Sequence, residues 1–193
     1  MGRKDLTSER QTLILDATER CIARYGLQGT TLEEIADEAG INRGLIHHYV
    51  GNRTDVVHMM IDRLLKRYQD SFASYVSSRP EGNRVELVID YYFDAWFEME
   101  PKDDAILLSL LSESRRDPQI QKKLHKLYAS FEQLIARELG LFYPSISSTR
   151  LHAVSYSLML LAFSHATMIW MELPKAGEVD VRSTAATLIS TLR

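Results

Sequence analysis

The chain has 193 residues, 45% of them apolar and 25% charged, the balance of a soluble globular protein that buries roughly 70% of its unfolded surface. Twenty-three Lys and Arg against 26 Asp and Glu leave a net charge of −3. That excludes a polybasic protein whose whole surface attracts nucleic acid, but leaves room for a local site. The single cysteine, Cys21, excludes an intrachain disulfide and argues against a cysteine-based zinc site. The start, Met1-Gly2-Arg3-Lys4-Asp5, has no apolar signal stretch, so a cytoplasmic address is expected.

No stretch alternates with period two, and the expected fold is all-α. Leu13, Ala17, Cys21 and Tyr25 recur every fourth residue, with Ile14 and Ile22 widening the stripe. Ser8 with Gln11 reads as the capping box of this first helix, and Gly26 as its stop. Thr31-Leu32-Glu33-Glu34 is a second capping box, opening a short helix that Gly40 ends. Asn42 is placed to cap a third helix through Tyr49, and Asn52 with Asp55 a fourth that runs to about Ser78. Apolar periodicity predicts further helices over 84–99, 103–115, 118–139, 147–172 and 180–193, among the punctuating Pro80, Pro101, Pro118, Pro144 and Pro174. Residues 151–171 carry no formal charge, a span of 21 residues that is long enough for a bilayer. His152, Ser155, Tyr156, Ser157, Ser164, His165 and Thr167 are a polar load that lipid tolerates poorly, so a helix buried between protein surfaces is expected and no membrane partner.

The most informative run is residues 32–51, LEEIADEAGINRGLIHHYVG. Two helices crossing steeply through a tight turn need a small residue at the crossing, a turn residue tolerant of positive φ, and apolar residues that lock the pair. Ala36, Gly40, and Ile35, Ala39, Ile41, Ile46 and Tyr49 meet these demands together. Such a helix-turn-helix reads DNA by laying its second helix in the major groove. That helix would present Asn42, Arg43, Gly44, His47 and His48. Arg43 suits guanine O6 and N7, the histidines suit bases or phosphates, and Gly44 lets the backbone approach. Tyr49 and Arg53 stand where a phenol and a guanidinium grip phosphate, Arg53 at the start of the fourth helix. With Thr31 at the head of the second helix, these form the expected DNA-binding set. The competing reading is a helical protein-interaction or ligand-carrier module that does not bind DNA specifically.

Residues 10–57, above all TTLEEIADEAGINRGLIHHYVGNRTDVV, resemble the DNA-binding domain of the tetracycline-repressor (TetR) family of bacterial regulators. The likeness includes Tyr25-Gly26, Thr30-Thr31, Ala39-Gly40 and Gly51-Asn52-Arg53. His47 stands where tyrosine is frequent, Val50 where phenylalanine is, Arg53 where lysine is, and Leu45 where serine or threonine is. The resemblance implies a three-helix DNA-binding domain over about 1–55, followed by a larger helical ligand-binding and dimerisation domain over 56–193. It implies a homodimer on a palindromic double-stranded operator, released by a small molecule: a ligand-responsive transcriptional regulator, read here as a repressor.

Residues 1–67 hold ten basic and ten acidic side chains. Their charges segregate, with Glu33, Glu34, Asp37 and Glu38 on the second helix and Arg43, His47, His48 and Arg53 beyond the turn. Arg3, Lys4 and Arg10 form a candidate arm for phosphate or the minor groove. In the C-terminal part, Tyr92, Trp96, Met99, Leu107, Leu111, Tyr128, Phe131, Met159 and Phe163 are the candidate walls of a pocket for an effector of apolar character. Asp94, Glu98, His125 and His165 are candidates to orient a polar group there. Leu151, Leu158, Leu161, His165, Ala185, Leu188, Ile189 and Leu192 are the candidate dimer interface, a four-helix contact of two chains. No phosphate loop, H-E-x-x-H or G-x-S-x-G is present, and the six histidines lack metal spacing, so neither an enzyme nor a cofactor or metal is expected.

Overall fold

The structure, a computed structural model, describes residues 3–79, 83–93, 101–174 and 178–192, with the backbone alone at 3–5 and 101. Among these residues there is no strand. The helices are α1 (Arg3–Gly29), α2 (Leu32–Ala39), α3 (Arg43–Tyr49), α4 (Arg53–Ser77), α5 (Arg84–Phe93), α6 (Pro101–Glu113), α7 (Pro118–Phe142), α8 (Ser148–Trp170) and α9 (Val181–Ser190). The all-α fold expected from the period of the apolar residues is the fold observed.

The first helix departs from expectation at both ends. Its start lies five residues ahead of Ser8, whose carbonyl accepts the Thr12 hydroxyl at 3.0 Å inside the helix. Nothing between Arg3 and Tyr25 is glycine or proline, so no residue there stops the helix from extending past its nominal cap. At the other end Gly26 breaks the helix as expected, at φ 69° and ψ 169°, but a last turn re-forms through Gly29. The Thr30 hydroxyl closes that turn on the Gly26 carbonyl at 2.9 Å. The reciprocal cap at Asn52 and Asp55 forms: the Asp55 amide donates to Asn52 Oδ1 at 3.1 Å and the Asn52 amide to Asp55 Oδ2 at 2.9 Å. Residues 94–99, expected to extend α5, lie outside the described residues.

The chain packs as two compact units. The first holds residues 3–67 and 101–124, so the helix-turn-helix read from the sequence is grouped with the first part of α4, α6 and the start of α7. Ile14, Ala17, Cys21, Ile22, Ile35, Ile46, Met60, Ile61, Leu64, Ile106 and Leu110 form its core, each at most 1% exposed. Burial raises the Cys21 thiol pKa, with Glu38 and Glu34 adding to it, so the thiol stays protonated and inert. A polar cluster is sealed into the same unit. Glu19, 1% exposed, receives Arg63 at 2.6 Å, Arg67 at 3.1 Å and Lys102 at 3.7 Å. Arg67 also reaches Asp103, itself 3% exposed, at 2.7 Å. This network ties α1, α4 and α6 at fixed register, because a buried carboxylate is tolerated only while its partners stay in place.

The second unit holds residues 68–79, 83–93, 125–174 and 178–192 among those described. Its centre is aromatic. Phe72 meets Tyr91 at 4.8 Å between ring centroids, Tyr92 meets Phe131 at 6.3 Å, and Phe131 meets Phe163 at 5.5 Å. Most of these contacts are edge-on or tilted, the arrangements that ring quadrupoles favour. Burial pushes the Tyr92 phenol well above its ordinary value. The buried Glu138 is neutralised by Arg84 at 3.0 Å.

The charge-free span forms α8, long and apolar enough to cross a membrane by length and composition, as a core helix of a soluble protein also is. Within the single chain, one stripe of it is open. Tyr156, Leu160 and Met168 are 48%, 46% and 37% exposed, while Val154, Leu158, Met159, Ala162 and Ala166 face inward.

Candidate nucleic-acid interface

Local chemistry builds the reading head. The Thr31 hydroxyl accepts the Glu34 amide at 3.2 Å, and the Glu34 carboxylate accepts the Thr31 amide at 2.7 Å, the reciprocal cap expected from the sequence. Gly40 ends α2 at φ 63°, where an L side chain would be strained, and its amide turns back to Asp37 at 3.2 Å. Asn42 caps α3 by accepting the Gly44 amide at 2.6 Å. A Cβ on Gly44 would lie 3.1 Å from that same Asn42 oxygen, so the cap and the glycine are matched.

Ile46 is the anchor of α3, with no exposed surface. At 100° per residue, Gly44 and His48 then lie about 160° away from it, and Leu45 and His47 about 100° to either side. Burial agrees: Asn42, Arg43, Gly44, Leu45, His47 and His48 are all exposed. His48 packs edge-on against Tyr49, centroids 4.8 Å apart. Tyr49 is half-buried, and its carbonyl accepts the Gln11 amide at 2.9 Å, which ties the end of α3 to α1. Leu45, 38% exposed, adds an apolar group to the outward face.

Two arginines behave differently from the sequence reading. Arg53 is only partly exposed, and its Nε donates to the Thr30 carbonyl at 2.6 Å while Nη2 donates to the Leu27 carbonyl. Those carbonyls sit where α1 ends and need donors, so the guanidinium expected on phosphate instead closes the frame that holds α2. Arg43 is paired with Glu33, so the acidic and basic groups are not fully segregated across the turn. Two of the other three acids of α2 are also engaged. Glu34 is in the cap, and Glu38 is bridged by Arg20 at 2.5 Å and Arg24 at 3.4 Å. The Arg20 hydrogen bond is the main reason that the Glu38 carboxyl pKa is lowered. Of the candidate arm, Arg10 is half-buried on α1, while the side chains of Arg3 and Lys4 lie outside the described residues.

Residues 14–60 match the family described as bacterial regulatory proteins, tetR family, a span that contains α2, the turn, α3 and the start of α4. This span of the chain belongs to the tetR family. The transcriptional regulator BetI of Rhizobium meliloti is 30% identical over 125 residues, 64% of this chain and 61% of that protein. BetI of Burkholderia thailandensis is 26% identical over 145 residues, 72% and 74% of the two chains. The match to Escherichia coli BetI spans 50% of that protein. These relatives are helix-turn-helix transcriptional regulators. The fold is shared with a TetR transcription regulator from Haloarcula marismortui, at TM-score 0.79 and 21% identity over 95% of this chain and 98% of the other. It is also shared with FadR of Bacillus subtilis, solved in complex with stearoyl-CoA, at TM-score 0.68 and 14% identity over 94% and 96%.

Outside the tetR-family head, the pocket and interface candidates are only partly brought together. Tyr92, Tyr128, Phe131, Met159 and Phe163 lie in the second unit, where Tyr128 meets Phe163 at 5.1 Å and continues the aromatic cluster. Leu107 and Leu111 belong to the first unit, Leu107 in its core and Leu111 39% exposed. Trp96, Met99, Asp94 and Glu98 lie outside the described residues. His125 is exposed. His165 lines a pocket of about 170 Å³ with Phe93, Val179, Asp180, Val181 and Arg182, and burial lowers its pKa. Of the interface candidates, Leu158, Ala185, Ile189 and Leu192 are at most 1% exposed within the chain itself. They face their own unit's core and are unavailable to a partner. Leu151, Leu161, His165 and Leu188 are half-buried. The exposed apolar residues of α8 include Tyr156, Leu160 and Met168, which the sequence does not single out, because an all-round apolar helix gives no periodicity from which to choose its outer face.

Proposed function

We propose that this protein, with its tetR-family head, is a cytoplasmic repressor that binds a palindromic operator as a homodimer and is released by a small molecule of apolar character. The observation that carries the reading is α3: Ile46 is locked inward, while Asn42, Arg43, Gly44, His47 and His48 are turned outward from a helix capped at both flanks. A short helix so presented, with its N-terminal residues open, suits the major groove. Thr31 at the exposed head of α2 and Tyr49 at the end of α3 are assigned to flanking phosphates, and Arg53 to holding the frame.

The open stripe of α8, Tyr156, Leu160 and Met168, supports a two-fold contact with a second copy, since its inner side is already filled. Two recognition helices would then meet half-sites about 34 Å, or one turn, apart. The aromatic cluster of the second unit favours an apolar effector, and the stearoyl-CoA complex of the fold relative FadR is consistent with that class. The effector acts by binding better to a dimer whose recognition helices no longer match the groove spacing, and shifts the population by that difference in affinity.

The test is selection of duplexes from a randomised pool by the full chain, followed by footprinting and sedimentation of the complex. An inverted repeat bound by two chains is expected, and Arg43→Ala should lose about 1–3 kcal/mol of binding to it. Selection that yields no enriched sequence, or binding unchanged by Arg43→Ala, would overturn the proposal.

A further inference from the structure

We infer that Glu33 is a positioning residue for base recognition: by holding one edge of the Arg43 guanidinium, it aims the other at guanine. This rests on the proposed reading of α3 as the DNA-recognition helix. Arg43 Nη1 donates to Glu33 Oε1 across the turn. The two side chains are 56% and 59% exposed, so the pair stands at the surface that a duplex would meet.

Two of the neighbouring acids are committed elsewhere. Glu34 closes the cap on Thr31, and Glu38 is held by Arg20 and Arg24 on α1. Glu33 alone among these three turns toward α3. On α3 itself no acid faces Arg43, and the first residue of a helix is a poor place for a cation because the helix dipole presents its positive end there. Glu33 offsets that repulsion and removes the freedom of a long side chain. A guanidinium carries its five N–H donors in one plane. With Nη1 engaged by the carboxylate, Nη2 and Nε remain on an open edge with the spacing of guanine O6 and N7. Gly44 adds no side chain beside that edge.

A carboxylate in this position has two distinguishable consequences. As a mere negative charge near DNA, it would weaken all binding alike. As a positioning group, it favours the duplex with the correct guanine and disfavours the rest.

The experiment uses the full chain, the best duplex that the wild type selects from a randomised pool, and a base-scrambled duplex of equal length, read by fluorescence anisotropy at one salt concentration. Glu33→Gln is expected to weaken the selected duplex about five- to tenfold, relaxing the preference at one guanine, and to strengthen the scrambled duplex about twofold. In an Arg43→Ala background, Glu33→Gln should cost nothing further on the selected duplex. Arg43→Lys keeps the charge but lacks the fork, so it should lose discrimination whether or not Glu33 is present. Thermal melts of each variant report folding. Equal strengthening of both duplexes by Glu33→Gln, or an undiminished loss in the Arg43→Ala background, overturns the inference while the DNA-binding reading stands. Indifference of the selected duplex to Arg43→Ala overturns both.

Discussion

The two units differ in what they bury, although each seals in at least one paired carboxylate, Glu138 on Arg84 in the second. The first seals charges inside, with Glu19 and Asp103 held among Arg63, Arg67 and Lys102. The second fills its centre with rings, Phe72, Tyr91, Tyr92, Phe131 and Phe163, that meet mostly edge-on or tilted. Ion pairs are directional and fail when a partner moves, whereas rings repack with small losses. A unit that must hold α2 and α3 at one angle benefits from the first kind of core. A unit proposed to admit an apolar effector benefits from the second.

The contrast breaks most sharply at Glu19. Glu19→Ala removes the buried carboxylate that Arg63, Arg67 and Lys102 share, leaving Arg63 on Asp16 and Arg67 on Asp103, and should cost about 3 kcal/mol in urea unfolding. Phe131→Leu keeps an apolar side chain in a cluster that repacks and should cost about 1.5 kcal/mol by the same measurement. If Phe131→Leu proves the costlier, the supposed plasticity of the second unit is wrong. A smaller effect is expected at the head itself, where Thr31→Ala removes the α2 cap and about 1 kcal/mol of stability.

The smallest effect concerns pH. Burial lowers the His165 pKa from its ordinary 6.5, so the fold favours the neutral ring. Its contribution is therefore complete above that ordinary value and is lost as pH falls from there toward the depressed one. Melting temperature should fall less between pH 7 and 5 in His165→Gln than in the wild type. Parallel curves for the two proteins would show that burial at His165 does not matter.

Much of the head was legible because its determinants are local. The Thr31–Glu34 cap, the Gly40 stop and the Asn42 cap each involve residues within four positions, and the sequence places them unambiguously. Ile46 follows from the same apolar pattern, and the exposed face of α3 follows from Ile46. The start of α1 was misread at Ser8, because a capping residue does not stop a helix when the preceding residues also favour one.

What the sequence alone determined is the class of fold and the order of its helices, with the cap chemistry that aims α3 outward. Only the tertiary structure decided which partner each long side chain would find. It turned Arg53 to the Leu27 and Thr30 carbonyls, Arg43 to Glu33, and Leu158, Ala185, Ile189 and Leu192 to their own core, leaving Tyr156 and Leu160 open. The reason is range. Caps and periodicity act within a turn or two of helix, whereas the choice among partners distant in sequence depends on which surfaces the packed helices bring together.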